Sequence, residues 1–216
     1  EIVIDVGRDT SVHAVENAQD NYDKKICLFS QKELEQEHPG VEDIYSVGTL
    51  CEVRHIRRFD NFLRVKFRGI KRVKLNKWVN GSLSDLAEVE VLESEKQDAV
   101  EEEALLRMIA DELDRMQGQD RFVTKEIVME ISKGMGGEFL SDKAVQGLPL
   151  DIERKQQYLE TLGVNDRLMM LLQDMAKEKK MSEVEQQINE TVKERIDQGQ
   201  KDYYLREKMN VIREEL

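Results

Sequence analysis

Residues 164–216 read VNDRLMMLLQDMAKEKKMSEVEQQINETVKERIDQGQKDYYLREKMNVIREEL, with no proline and one glycine, Gly199. Charged residues dominate, and apolar residues recur at every third or fourth position, the period of a helix. At 1.5 Å per residue, about 53 helical residues span roughly 80 Å. That far exceeds the mean globular helix of about 11–12 residues. Such a helix reaches away from its own domain, so the expectation is a connector or a coiled-coil arm. The chain opens on Glu1 rather than Met and ends at Leu216 inside the helical pattern. Both ends read as cut, and the chain reads as a piece of something larger.

The helix divides in two. Leu168, Leu171, Leu172 and Met175 make a broad apolar face suited to burial. Lys177-Glu178-Lys179-Lys180 interrupts it, and beyond Lys177 no sequence remains for the helix to pack on. From there the apolar positions narrow to Val184, Ile188, Val192, Ile196, Tyr203, Met209, Ile212 and Leu216, with Gly199 among them. A narrow seam suits a partner helix rather than a globular core. A solvated single helix is the alternative, but Glu190 and Glu194 repel at i,i+4 and argue against it.

Upstream the period changes. Residues 98–175 read as a helical bundle. Its first helix runs from Asp98 to Met116 with Ala104, Leu105, Met108, Ile109 and Leu113 as its stripe. A second is capped by Thr124 and carries Ile127, Val128 and Ile131. Short helices follow over 138–145 and after Asp151, and Asn165 is a candidate cap for the long helix. Residues 1–93 alternate with period two in several runs, with one helix after Asp9 or Thr10. Asp60-Asn61 and Asn80-Gly81 are turn signals, and Gly69 predicts a bulge. The expected architecture is α+β: a small curled β-rich domain over 1–93, a bundle over 98–175 and an arm over 164–216.

Composition narrows the function. The 216 residues carry 36% charged side chains and a formal net charge of -12. An acidic chain is a poor dedicated nucleic-acid binder, because neutralising phosphates takes clustered Lys and Arg. One basic stretch exists, from Arg54 to Lys77. There Arg54, Arg57, Arg64, Lys66 and Arg68 are expected on the solvent face of a sheet. It reads as a solvated face or as a patch for nucleic acid or acidic polypeptide. No apolar run approaches a membrane span. Cys27 and Cys51 lie in apolar runs without a CxxC and read as reduced, buried, cytosolic thiols.

Chemistry is sparse. His13, His38 and His55 are scattered, with no ligand spacing, so no metal is expected. Gly134-Met135-Gly136-Gly137 lacks the Lys-Ser/Thr of a phosphate loop and reads as a helix break. No serine sits in a nucleophile motif. Phe59 and Phe62 flank the Asp60-Asn61 turn and are candidates for a sticky tip, although core placement of at least one is the plainer reading. Met169, Met170 and Met175 suit either promiscuous binding or core filling.

The run Gln200-Lys201-Asp202-Tyr203-Tyr204-Leu205-Arg206-Glu207-Lys208-Met209, continuing to Leu216, closely resembles the segment that precedes the ATPase module of Lon proteases. Val6-Gly7-Arg8, Val47-Gly48-Thr49, Gly69-Ile70-Lys71-Arg72, Leu148-Pro149-Leu150 and Val164-Asn165-Asp166-Arg167-Leu168 are similar to family segments in the same order. The resemblance implies an amino-terminal substrate-recognition region and a helical arm. In the parent these are followed by an AAA+ ATPase using ATP and Mg and by a Ser–Lys serine protease. It implies a cytoplasmic homohexamer that degrades misfolded, damaged and selected regulatory proteins. This chain is then non-catalytic and needs no cofactor of its own. The family's first strand, with its L-P-L-R signature, is not found before Glu1. Arg68 stands where the family has an acidic residue, and the Asp60-Asn61 turn is short, which makes this face more basic than usual. Two functions follow. One is capture of unfolded polypeptide through apolar patches, with self-association through the long helix. The other is DNA binding on the Arg54–Lys77 face.

Overall fold

The computed structural model describes residues 1–33, 35–36, 39–81, 84–116, 129 and 134–215. Apart from Met129, the predicted helix at Thr124–Ile131 lies outside the described residues, as do His38, Leu216 and part of the Asn80-Gly81 hairpin loop.

Strands β1 (Ile2–Val6), β2 (Lys25–Leu28), β3 (Val47–Arg58), β4 (Leu63–Val79) and β5 (Leu86–Leu92) form one antiparallel sheet. The 17-residue β4 organises it. Along one edge β4 pairs with β3 from Leu63 to Lys74. Along the other it takes β1 at Leu63–Phe67 and β5 at Arg72–Val79. Gly69 does not end the strand. Cys51 pairs with Gly69 and Leu50 with Lys71, so the extra residue is Ile70. A second bulge inserts Arg54 into β3. Each bulge adds twist and switches which residues face inward.

Helix α1 (Asp9–Asn21) covers one face of the sheet with Val15 and Ala18. Its N-cap is Arg8, without a side-chain bond, rather than Asp9 or Thr10. Val6, Val15, Cys51, Val53, Leu63, Val65 and Phe67 form the core beneath it. Burial pushes the Cys51 thiol up to about 11 and also raises that of Cys27.

The helical part comprises α2 (Ala99–Met116), α3 (Gly137–Gly147), α4 (Ile152–Glu160) and α5 (Val164–Glu215). Asp98 caps α2 by accepting from the Val100 and Glu101 amides at 2.8 and 2.9 Å. Asp151 caps α4 by accepting from the Arg154 amide at 2.7 Å. Leu105, Ile109, Leu113, Leu140, Leu148, Leu168, Leu171 and Met175 form a second core. Ala104 and Met108 are exposed, so the buried stripe of α2 is narrower than its composition suggested. It follows strict i,i+4 spacing on the side turned to α5. Asn165 does not cap α5. Its amide instead donates at 2.9 Å to Gln97 of the linker, while its side chain reaches Asp98 and Glu101.

Candidate functional site

Polar side chains cross the joint between sheet and bundle in both directions. Arg72 of β4 is 8% exposed and donates to the Leu159 carbonyl at 3.2 Å and to Asp142. Gln156 of α4 donates back to the Val47 carbonyl at 2.9 Å. Arg167, at the root of α5, is fully buried. It donates to the Thr161 carbonyl and to Ser94 Oγ, each at 3.1 Å. Burial, and then the neighbouring Arg72 cation, lower its pKa. The linker also bridges Glu95 to Gly163. The sheet is therefore seated firmly on the base of the long helix. Arg72 lies within the basic Arg54–Lys77 stretch, and unbroken alternation from Arg64, Lys66 and Arg68 would set it on their solvent face. The bulge at Ile70 shifts the register beyond it and turns Arg72 into the joint instead.

The turn between β3 and β4 projects from this platform. The Phe59 amide donates to the Phe62 carbonyl at 2.9 Å, which closes the hairpin. The two rings stack at 4.7 Å between centroids and 11° between planes. Neither ring lies in the sheet core, and Phe59 is 37% exposed. Arg57 stands 5.8 Å from the Phe59 centroid, and Arg64 stands 5.4 and 5.6 Å from those of Phe59 and Phe62. Cations over aromatic faces hold the rings in place where packing does not. Arg64 itself is fixed by two bonds to Asp5 at 2.6 and 2.7 Å, and those bonds lower the Asp5 pKa. This aromatic–arginine cluster brings together residues from two separate sequence expectations, the sticky tip and the basic face.

Much of that basic face is neutralised. Arg54 pairs with Glu52 at 3.1 Å, Arg58 with Glu16 at 2.5 Å, Lys66 with Glu1 at 2.6 Å and Lys71 with Glu93. The methionines separate. Met169 is exposed, Met170 is half-buried against the bundle core, and Met175 is fully buried within it. Met175 therefore fills the core and presents no binding surface, because α2 and α3 cover that side of α5.

Burial along α5 ends at Ser182, and every described side chain from Glu183 to Arg213 is exposed. The interruption at Lys177–Lys180 is still part of the root. Lys179 reaches Glu112 of α2 at 2.9 Å. Beyond it Val184, Ile188, Val192, Ile196, Tyr203, Met209 and Ile212 all stand in solvent. A cleft of about 340 Å³ lies elsewhere, between Tyr45, Trp78 and Glu160. Of the residues named from the sequence it includes Lys77, the last of the basic stretch. Among the described residues no cluster of three His, Cys, Asp or Glu side chains could hold a metal ion. No described helix is long and apolar enough to cross a membrane.

Residues 2–177 match the family described as the ATP-dependent protease La (LON) substrate-binding domain. The Lon protease of Brevibacillus choshinensis is 33% identical over 214 residues, covering 99% of this chain and 27% of that protein. Lon protease of Escherichia coli K12 is 31% identical over 212 residues, covering 98% of this chain and 27% of that protein. The chain thus spans about a quarter of the length of these curated relatives. Among solved structures, the N-terminal domain of Mycobacterium avium complex Lon protease superposes with a TM-score of 0.60 at 21% identity. That likeness covers 81% of this chain and 90% of the other, and it is one of fold.

Proposed function

We propose, on the ground that this chain belongs to the Lon substrate-binding domain family, that it captures unfolded polypeptide for an ATP-dependent serine protease. In this reading residues 1–93 hold the client, residues 98–175 form the seat, and residues 164–216 carry the arm toward an ATPase ring. Copies associate through the seam from Val184 to Ile212, and the complete protein is a cytoplasmic hexamer that uses ATP and Mg. Misfolded, damaged and regulatory proteins are its clients. This chain supplies recognition and assembly, and the peptide-bond chemistry resides in other modules of the parent.

One observation carries the capture reading. A stacked Phe59–Phe62 pair is held at the tip of a hairpin, outside the sheet core, on a sheet hydrogen-bonded through Arg72 and Gln156 to the bundle that roots the arm. A preformed aromatic surface binds apolar side chains at little entropic cost. Folded proteins bury such side chains and unfolded ones offer them, so the tip discriminates by exposure alone.

Replacing Phe59 and Phe62 together by Ser is expected to weaken binding of a reduced, alkylated client about tenfold. Fluorescence anisotropy reads the affinity, and the melting temperature should stay unchanged. A large fall in melting temperature would instead assign the pair to the core and remove it from the capture surface.

A further inference from the structure

The sheet face turned away from α1 carries an ordered set of charges. Arg57 of β3 lies directly opposite Arg64 of β4, which lies opposite Asp5 of β1. One rung along, His55 lies opposite Lys66, which lies opposite Val3. On the next rung Glu52 lies opposite Arg68. Like charges facing each other across strands are destabilising. The acids Asp5 and Glu1 compensate Arg64 and Lys66, but both sit on the β1 margin. On the β3 side Glu52 takes Arg54, and Arg57 is left as a cation. Among the described residues Arg57 and Arg68 have no carboxylate partner, and the Arg57 guanidinium lies against the Phe59 ring. A guanidinium fork with no carboxylate partner thus stands against the exposed Phe59 ring, which stacks on half-buried Phe62, on a chain whose overall charge is -12.

We infer that this face makes capture selective: it prefers segments in which a carboxylate side chain lies two residues from an aromatic one. The inference rests on the capture reading above and refines it. In an extended segment, residues i and i+2 point the same way and lie about 6.8 Å apart. The Arg57 guanidinium lies 5.8 Å from the Phe59 centroid. A client ring packed beside Phe59 therefore brings its i+2 carboxylate within reach of the Arg57 fork. There it forms a charge-assisted bond and relieves the Arg57–Arg64 opposition. A client lacking the acid keeps the aromatic contact and leaves Arg57 in water.

Nucleic acid fits this face less well. Of Arg54, Arg57, Arg64, Lys66 and Arg68, three already hold carboxylates. The backbone of a nucleic acid would meet Glu1, Asp5, Glu52 and Asp60 beside the two remaining cations. Tracking a phosphate chain takes a run of cations, whereas one carboxylate takes one fork.

The test uses the 216-residue chain and short unstructured fluorescent peptides of three kinds: Phe-x-Asp, Phe-x-Asn and Ala-x-Asp. A single-stranded DNA oligonucleotide serves as the fourth probe. At low salt Phe-x-Asp should bind about fivefold tighter than Phe-x-Asn, and Ala-x-Asp should bind weakest of the peptides. Arg57→Gln should abolish the preference, so that the variant binds Phe-x-Asp no more tightly than Phe-x-Asn. Arg54→Gln, whose guanidinium is already committed to Glu52, should leave the preference intact. Arg57 is solvent-exposed, so an unchanged melting temperature is expected and is measured alongside. Equal affinity for the two Phe peptides, or a preference that survives Arg57→Gln, overturns the inference and leaves aromatic capture standing. Tighter binding of the DNA, lost in Arg57→Gln, overturns it in favour of phosphate. Failure of every Phe peptide to bind removes the capture reading and this inference together.

Discussion

Arg72→Met tests whether sheet and bundle unfold as one body. The substitution keeps an unbranched stem in the joint and removes both of its donated bonds. Asp142 is half-exposed and rehydrates, so its share is under about 1 kcal/mol. The Leu159 carbonyl loses an interface donor, which costs about 1–3 kcal/mol. Relief of the repulsion between Arg72 and buried Arg167 returns part of that. The net expectation is a loss of about 2 kcal/mol. With a urea slope of about 2 kcal/mol per molar, the sheet midpoint should fall by about 1 M. Two probes separate the halves: fluorescence of Trp78, the sole tryptophan, on β4, and circular dichroism of the helices. In the parent chain the two transitions should coincide. In Arg72→Met the tryptophan transition should move first. If the transitions stay superimposed and move by less than about 0.3 M, the joint does not couple the domains, and the reasoning fails.

Three further outcomes are expected. A Cβ added at Gly48 would stand 2.4 Å from the Leu28 carbonyl oxygen and 2.5 Å from the Phe29 ring, so Gly48→Ala should push β2 off β3. Thermal unfolding should register a loss of about 1–3 kcal/mol, and an unchanged melting temperature would count against it. Ile188 and Ile196 are 55% and 54% exposed, so Ile188→Asp with Ile196→Asp should leave the melting temperature alone and reduce association in sedimentation velocity. Unaltered sedimentation would sink the seam. The Lys179 bond holds the Glu112 carboxyl below its ordinary range. A depressed carboxylate contributes stability that is present above its unfolded pKa and is lost as pH falls through the folded one. Glu112→Gln should therefore be destabilising at neutral pH and converge with the parent chain below about pH 4, as read from urea midpoints across pH.

Most elements were legible because each follows from a local pattern. The 3.6-residue period over Val164–Glu215 and the alternation along Leu63, Val65 and Phe67 needed no partner to be read. Asp98 and Asp151 begin their helices because a carboxylate meets the first free amides wherever a helix starts. The same logic misassigned Asn165 and Asp9. At the root of α5 a distant glutamine, Gln97, reaches the amides, and no local window contains it. The Ile70 bulge was anticipated one residue away, at Gly69, yet its consequence was not. A single extra residue in β4 carries Arg72 from solvent into the joint.

The candidate site divides in the same way. Phe59 and Phe62 declared themselves by flanking a turn, and Arg57 and Arg64 by their charge. Their convergence into one cluster comes from the β3–β4 register, which sets Arg57 opposite Arg64 above the stacked rings. Asp5 arrives from the strand on the other side of β4, 59 positions away in the chain. Gln156 and Arg167 carried no sequence signal of a role in the joint.

By itself, then, the sequence determined the long arm, the two helical and β-rich regions, the acidic balance and the likeness to one family, since all of these are periodic, compositional or short-range properties. Tertiary structure alone decided where the arm leaves the bundle, at Ser182 rather than Lys177. It alone placed Arg72 in the interior and left Arg57 without a carboxylate partner beside an aromatic pair. Burial and pairing depend on what another segment brings to the same place. Register shifts of one residue, which no local pattern encodes, reverse the face on which a side chain emerges.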